Sequence, residues 1–128
     1  MTEGKEALIR VHNRLFEAYS IHWHGIFLPF TMDGVPGISF PGISAGETFT
    51  YRYPVRQNGT YWYHSHSGLQ EQLGHYGQLI LEPVAPDPVD YEVEYSIILS
   101  DRTFENPHRI MWKLKTIESY YNFQRQRW

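Results

Sequence analysis

The chain has 128 residues, no cysteine and a formal net charge of −3. That length suits one domain able to bury a core. The charge balance, with no basic run, argues against nucleic acid; no apolar run is long enough to span a membrane, and no disulfide can form.

Aromatic residues make up 16% of the chain, beside eight Pro and ten Gly, which favours a β-rich fold with many turns. No secretory leader is visible after Met1, so the sequence reads as a chain whose leader has been removed or as a cut chain. Lys5 to Asn13 alternates, with Ala7, Ile9 and Val11 on one face, and reads as a strand. Ser20 to His24 reads as the second strand and carries His22 and His24. Residues 25–46 form a long loop punctuated by Asp33-Gly34-Val35-Pro36-Gly37 and Phe40-Pro41-Gly42. Glu47 to Val55 is a clean strand, with Phe49, Tyr51, Tyr53 and Val55 sharing a face. Asn58-Gly59 predicts a tight hairpin into a strand over Thr60 to His66, which carries His64 and His66.

Ser67 to Tyr76 is a polar connection, and Gln78 to Glu82 is a strand closed by Pro83. Pro86-Asp87-Pro88 reads as a linker, and Tyr91 to Ser100 as a further strand ending at Asp101-Arg102. Asn106 can cap a helix that Pro107 begins. Ile110, Met111, Leu114, Ile117 and Tyr121 recur at helical spacing, which predicts a C-terminal helix over about 107–124. The expected architecture is a single all-β domain over 1–128 with that short helix at its end.

The chemistry concentrates in the two His-x-His pairs. In a strand, side chains at i and i+2 leave the same face, so each pair aims two imidazoles at one point. If the strands are neighbours, four imidazoles converge. Neutral imidazole suits copper, zinc, iron and nickel. His12 and His108 have no such setting and read as ordinary surface histidines. His75 reads either as a donor to a ligating group or as a solvated loop residue. Asp33 lies in a turn sequence on any account. Its functional reading is a carboxylate near the metal, moving protons or orienting water. Glu71 has a weaker claim of the same kind. Tyr61-Trp62-Tyr63 reads as sheet packing.

Ser20-Ile21-His22-Trp23-His24-Gly25, Met32-Asp33-Gly34-Val35-Pro36-Gly37 and the run from Gly59 to Gln70 resemble the first domain of multicopper oxidases. The likeness is closest to the CopA-type copper-resistance oxidases of bacteria, which Leu73-Gly74-His75-Tyr76-Gly77 and Tyr120-Tyr121-Asn122-Phe123 also resemble. It implies a cupredoxin-like Greek-key barrel or sandwich. Such oxidases take single electrons at a type 1 copper and pass them to a trinuclear copper cluster, where O₂ becomes water. By position, His22 resembles the type 2 ligand, His24 and His64 resemble ligands of one type 3 copper, and His66 resembles a ligand of the other. Asp33 resembles the acidic residue placed near the cluster for proton supply. The resemblance implies copper as cofactor, a periplasmic location, and the remaining cupredoxin domains and O₂ as partners. Zinc fits four imidazoles as a substitute.

The departures shape the expectation. A type 1 site needs a cysteine thiolate, and this chain has none. The two motifs supply four of the eight histidines that the family's cluster needs, and a strand upstream of Lys5 is missing. The sequence therefore looks like an excised or truncated first domain, inactive alone, whose uncovered face would self-associate. The alternative is a stand-alone metal-binding or metal-storage module. A cupin-type mononuclear enzyme is discounted, because Gly25 to Pro29 lacks the expected glutamate and the later motif is a full pair.

Overall fold

The computed structural model describes residues 1–101, 103–117 and 119–121. Five strands follow the alternating segments: β1 (Glu6–His12), β2 (His22–His24), β3 (Thr48–Pro54), β4 (Gly59–His64) and β5 (Tyr76–Leu81). Short 3-10 turns occupy Phe30–Met32 and Glu71–Leu73, and one helix, α1, spans Pro107–Thr116.

The strands divide into two antiparallel sheets, β1-β3 and β2-β4-β5. Tyr51, Tyr53 and Val55 point from the first sheet, and Trp23, Leu79 and Leu81 point from the second, all buried in one core with Ile43. Trp23 meets Tyr51 edge-on at 5.2 Å between ring centroids, which joins the two layers. The Ile21 N–H donates to the Tyr51 hydroxyl at 3.2 Å, so β3 also braces the entry to β2. Each buried core ring of this kind contributes about 1.5–3 kcal/mol through area removed from water. Among the described residues, two buried polar atoms in this core have no hydrogen-bond partner, Trp23 Nε1 and the Tyr53 hydroxyl.

The expected Asn58-Gly59 hairpin is not formed. β3 pairs with β1, while β4 pairs with β2 and β5. The reason lies in the core. The apolar faces of β3 and β4 must oppose one another across it, and that requires different sheets. Val55 extends the β1 side by donating to the Lys5 carbonyl at 2.8 Å, and residues 56–58 then cross over. Gly59 keeps the positive φ (128°) that made the dipeptide look like a turn.

Tyr91 to Ser100, expected as a strand, has no ladder partner among the described residues. Tyr91, Val93, Tyr95, Ile97 and Leu99 are all exposed. Alternation shows which face a strand would bury but does not supply the neighbour it needs. The helix starts as expected: the Asn106 side chain accepts from the His108 and Arg109 N–H groups at 2.9 and 3.3 Å. It stops at Thr116, short of the expected 124, because Ile117 turns extended (φ −137°). Tyr121, expected on the helix face, instead donates to Glu105 at 2.9 Å. Arg102, Glu118 and residues 122–128 lie outside the described residues, including Asn122 and Phe123 of the tail motif. No helix of the described residues is long and apolar enough to cross a membrane.

Candidate metal centre

β2 is only three residues long, and its pairing fixes the site. His22 stands opposite His64, Trp23 opposite Tyr63 and His24 opposite Trp62. Period-two alternation sends Trp23 into the core and turns His22 and His24 to the other face, beside His64. One donor nitrogen from each of His22, His24 and His64 lies within 4.8 Å of the other two. His24 Nδ1 and His64 Nε2 are 3.3 Å apart. Trp62 stacks on both of those rings, at 4.8 Å from His24 and 4.3 Å from His64.

His66 joins them from outside the strand. β4 ends at His64, two residues short of the expected limit. The Ser65 N–H still donates to the His75 carbonyl at 2.9 Å, but the His66 N–H turns away from the sheet to Ser20 Oγ at 2.9 Å. Its ring centroid lies 5.2 Å from that of His22 and 5.5 Å from that of His64. Partial burial, followed by neighbouring His22 and His64, holds the His66 imidazole below its ordinary pKa, against the opposing pull of Asp33 and Glu71. The four rings thus lie side by side, but the group whose donor nitrogens could share one ion is His22, His24 and His64, and His66 stands outside it.

The surroundings orient two of the rings. His22 Nδ1 donates to the Asp33 carbonyl oxygen at 2.8 Å, with Asp33 Oδ1 at 3.4 Å. That bond leaves His22 Nε2 free to face the cluster. His64 Nδ1 lies 3.1 Å from the Ser65 carbonyl oxygen and 3.2 Å from Glu71 Oε2, which leaves its Nε2 free. Glu71 therefore stands closer to the site than its turn-like sequence suggests.

Asp33 reaches His22 because Gly34 is pressed onto β2. Gly34 has φ +77°, and a Cβ there would lie 1.7 Å from the Ile21 carbonyl oxygen. The sequence marks Gly34 as a turn residue but not as a contact with the strand that carries the first pair. Trp62, which reads as sheet packing, stacks on two of the imidazoles instead, and no sequence signal marks Ser20 as a partner of the second motif. His75 stays outside the cluster, with its ring against Tyr19 at 5.4 Å. His12 bonds Thr48 Oγ1 at 2.9 Å on β1, and His108 lies on α1.

The donor set fits a transition metal. Two imidazole nitrogens bound to one ion at about 2.0–2.1 Å in a tetrahedral arrangement stand about 3.3 Å apart, the separation found between His24 Nδ1 and His64 Nε2. All-imidazole ligation suits copper or zinc.

Comparison with known proteins agrees with this chemistry. The multicopper oxidase family model matches residues 1–86. Copper resistance protein A of Escherichia coli is 55% identical over 123 residues, 96% of this chain and 20% of that protein. Copper resistance protein A of Pseudomonas syringae pv. tomato is 53% identical over 124 residues, 97% of this chain and 20% of that protein. Among solved structures, the blue copper oxidase from Nitrosomonas europaea superposes with a TM-score of 0.63 at 37% identity, covering 68% of this chain and 29% of that one. The chain spans about a fifth of the length of these curated relatives.

Proposed function

This chain belongs to the multicopper oxidase family, and from that premise we propose that its four clustered histidines are half of a trinuclear copper site. Its fold is the all-β, cupredoxin-like fold of those oxidases. His22 would ligate the type 2 copper, His24 and His64 would share one type 3 copper, and His66 would serve the other. The observation that carries this reading is the convergence of one ring nitrogen from each of His22, His24 and His64 within 4.8 Å of one another, with His24 Nδ1 and His64 Nε2, hydrogen-bonded to each other at 3.3 Å, already at the spacing of two ligands on one ion.

Bound copper supplies one-electron redox chemistry. This chain's residues do the rest. The Asp33 carbonyl holds the Nδ1 proton of His22, and the Ser65 carbonyl with Glu71 holds that of His64. Each ring then presents Nε2 as a neutral donor. Trp62 stacks against His24 and His64 and braces those two rings. The Asp33 carboxylate, half-exposed beside His22, is placed to hand on protons.

With no cysteine in the chain, it offers no thiolate for a type 1 copper. Reduction of O₂ to water therefore belongs to a longer oxidase, whose other cupredoxin domains complete the cluster in the periplasm. Taken alone, the chain binds copper without turnover, takes zinc as a substitute, and self-associates through its imidazole-bearing face.

Titration of this chain with Cu(II), followed by calorimetry, tests the reading. His22→Ala, His24→Ala, His64→Ala and His66→Ala should each cost more than about tenfold in affinity, since even losses beyond the ligand shell cost about 10–100-fold. His12→Ala and His108→Ala should change nothing. Equal losses at all six positions would mean adventitious binding.

A further inference from the structure

His66 has no strand to hold it. It follows the last residue of β4 by two, and its side chain is exposed. Three of the clustered imidazoles are set by the β2-β4 ladder, and the fourth needs another anchor. Ser20 provides one. Its side chain is fully buried (0% exposed), and its Oγ accepts the His66 N–H at 2.9 Å and the Ser67 hydroxyl at 2.9 Å.

Ser20 also lies two residues before His22, on the approach to β2. One hydroxyl thus ties the segment carrying the first His-x-His pair to the loop carrying the last histidine. A buried relay backs it. The Ser67 N–H donates to Ser65 Oγ at 3.0 Å, Ser65 Oγ donates to Gln70 Oε1 at 2.7 Å, and Gln70 Nε2 donates to Glu17 Oε1 and to the Ala18 carbonyl, each at 2.9 Å. Ser65 and Gln70 are both buried, so these bonds are shielded from competition with water.

We propose that Ser20 is a positioning residue that sets His66 against the three ladder-held histidines, so that ligand geometry at this corner is controlled by a serine and not by strand pairing. The inference rests on the reading of His66 as a ligand, but the anchor itself is measurable without metal. The relay assigns separate partners to consecutive amides: Ser20 to His66, and Ser65 to Ser67.

Amide hydrogen exchange followed by NMR on the metal-free chain reads the anchor directly. In the unaltered chain the His66 amide should exchange at least about fivefold more slowly than an open loop amide such as that of Gly68, the effect of one net hydrogen bond. Ser20→Ala should remove that protection, Ser20→Thr should restore it, and Ser65→Ala should expose the Ser67 amide while sparing that of His66. Cu(II) titration forms the second arm. Ser20→Ala should weaken copper binding by about 10–100-fold and change the Cu(II) spectrum in the same sense as His66→Ala. Unprotected His66 in the unaltered chain, a result needing no variant to fold, overturns the proposal. So does a Ser20→Ala chain that binds copper normally while His66→Ala does not. If His66→Ala itself binds copper normally, the ligand reading fails, and protection lost in Ser20→Ala would still support Ser20 as the anchor.

Discussion

His24 Nδ1 lies 3.3 Å from His64 Nε2, on neighbouring strands and through opposite ring nitrogens. The register produces this pairing. His24 stands opposite Trp62, so His64 is its diagonal neighbour on the same face, within reach of a ring tilted along the strand. Two nitrogens on one ion must act as a unit. His24→Ala and His64→Ala should each weaken Cu(II) binding by more than about tenfold, and the double variant should lose much less than the sum of the two losses. Calorimetry on the four members of that cycle measures the coupling. Additive losses would place the two rings on separate ions.

Gly34 and Gly37 have the same backbone angle, φ +77°, but different surroundings. A Cβ at Gly37 meets nothing within 4 Å, whereas one at Gly34 meets the Ile21 carbonyl oxygen at 1.7 Å. Gly37→Ala should therefore cost only the left-handed backbone penalty, about 1–2 kcal/mol. Gly34→Ala should cost clearly more, because the strand or the turn must move, and it should take the Asp33 carbonyl away from His22. Chemical denaturation of both variants checks this. Equal costs would mean the turn is free to lift off β2.

The sequence made all five strands and the metal-directed face legible, for physical reasons. Phe49, Tyr51, Tyr53 and Val55 alternate because one face of β3 is buried, and the two His-x-His pairs repeat that period on a face turned from the core. Pairing was less legible. Asn58-Gly59 is a local turn signal, and the core overrode it by requiring β3 and β4 to oppose each other. Tyr91 to Ser100 carries its alternation without a partner strand among the described residues. At the site, the spacing of His64 and His66 suggested one continuous strand, but the ladder ends between them and Ser20 takes over. No pattern in the sequence marks a serine as the acceptor for a backbone N–H many residues away.

Tyr51 and Tyr53 are both buried in the core, but only one hydroxyl has a partner. The Tyr51 hydroxyl accepts the Ile21 N–H, and that of Tyr53 has no partner among the described residues. Tyr51→Phe should destabilise the chain by about 1–3 kcal/mol, since it leaves a buried N–H unpaired. Tyr53→Phe should be neutral or stabilising, since it removes a buried hydroxyl without a partner. Denaturation midpoints rank the two. A larger loss for Tyr53→Phe would reveal a partner for that hydroxyl.

The same two phenols set an alkaline limit. Burial pushes both up to about 12 from the ordinary value of 10.0. Unfolded tyrosines lose their protons near 10, before the folded ones do. The stabilising contribution is therefore whole below that pH and falls as pH rises through the interval up to about 12. Unfolding free energies measured across that interval should decline, and Tyr53→Phe should flatten the decline. Ultraviolet titration showing every tyrosine ionising near 10 in the folded chain would count against it.

Asp33 touches His22 in two ways that one substitution separates. Its carbonyl oxygen accepts from His22 Nδ1 at 2.8 Å, while Oδ1 lies farther away at 3.4 Å. Asp33→Asn keeps the backbone bond and the turn-forming shape but removes the charge. If the carbonyl is what orients His22, Cu(II) affinity of this chain should fall by less than about tenfold, well short of the loss in His22→Ala. If the carboxylate supplies protons, the same substitution in the longer oxidase should lower O₂ turnover by about 100-fold or more, the usual scale of general acid–base catalysis. The two measurements fail independently. A copper affinity as poor as that of His22→Ala would make the charge, not the carbonyl, the holder of that ring. Unchanged turnover across pH would remove the proton-supply role and leave Asp33 with its carbonyl bond to His22 and its place in the Gly34 turn.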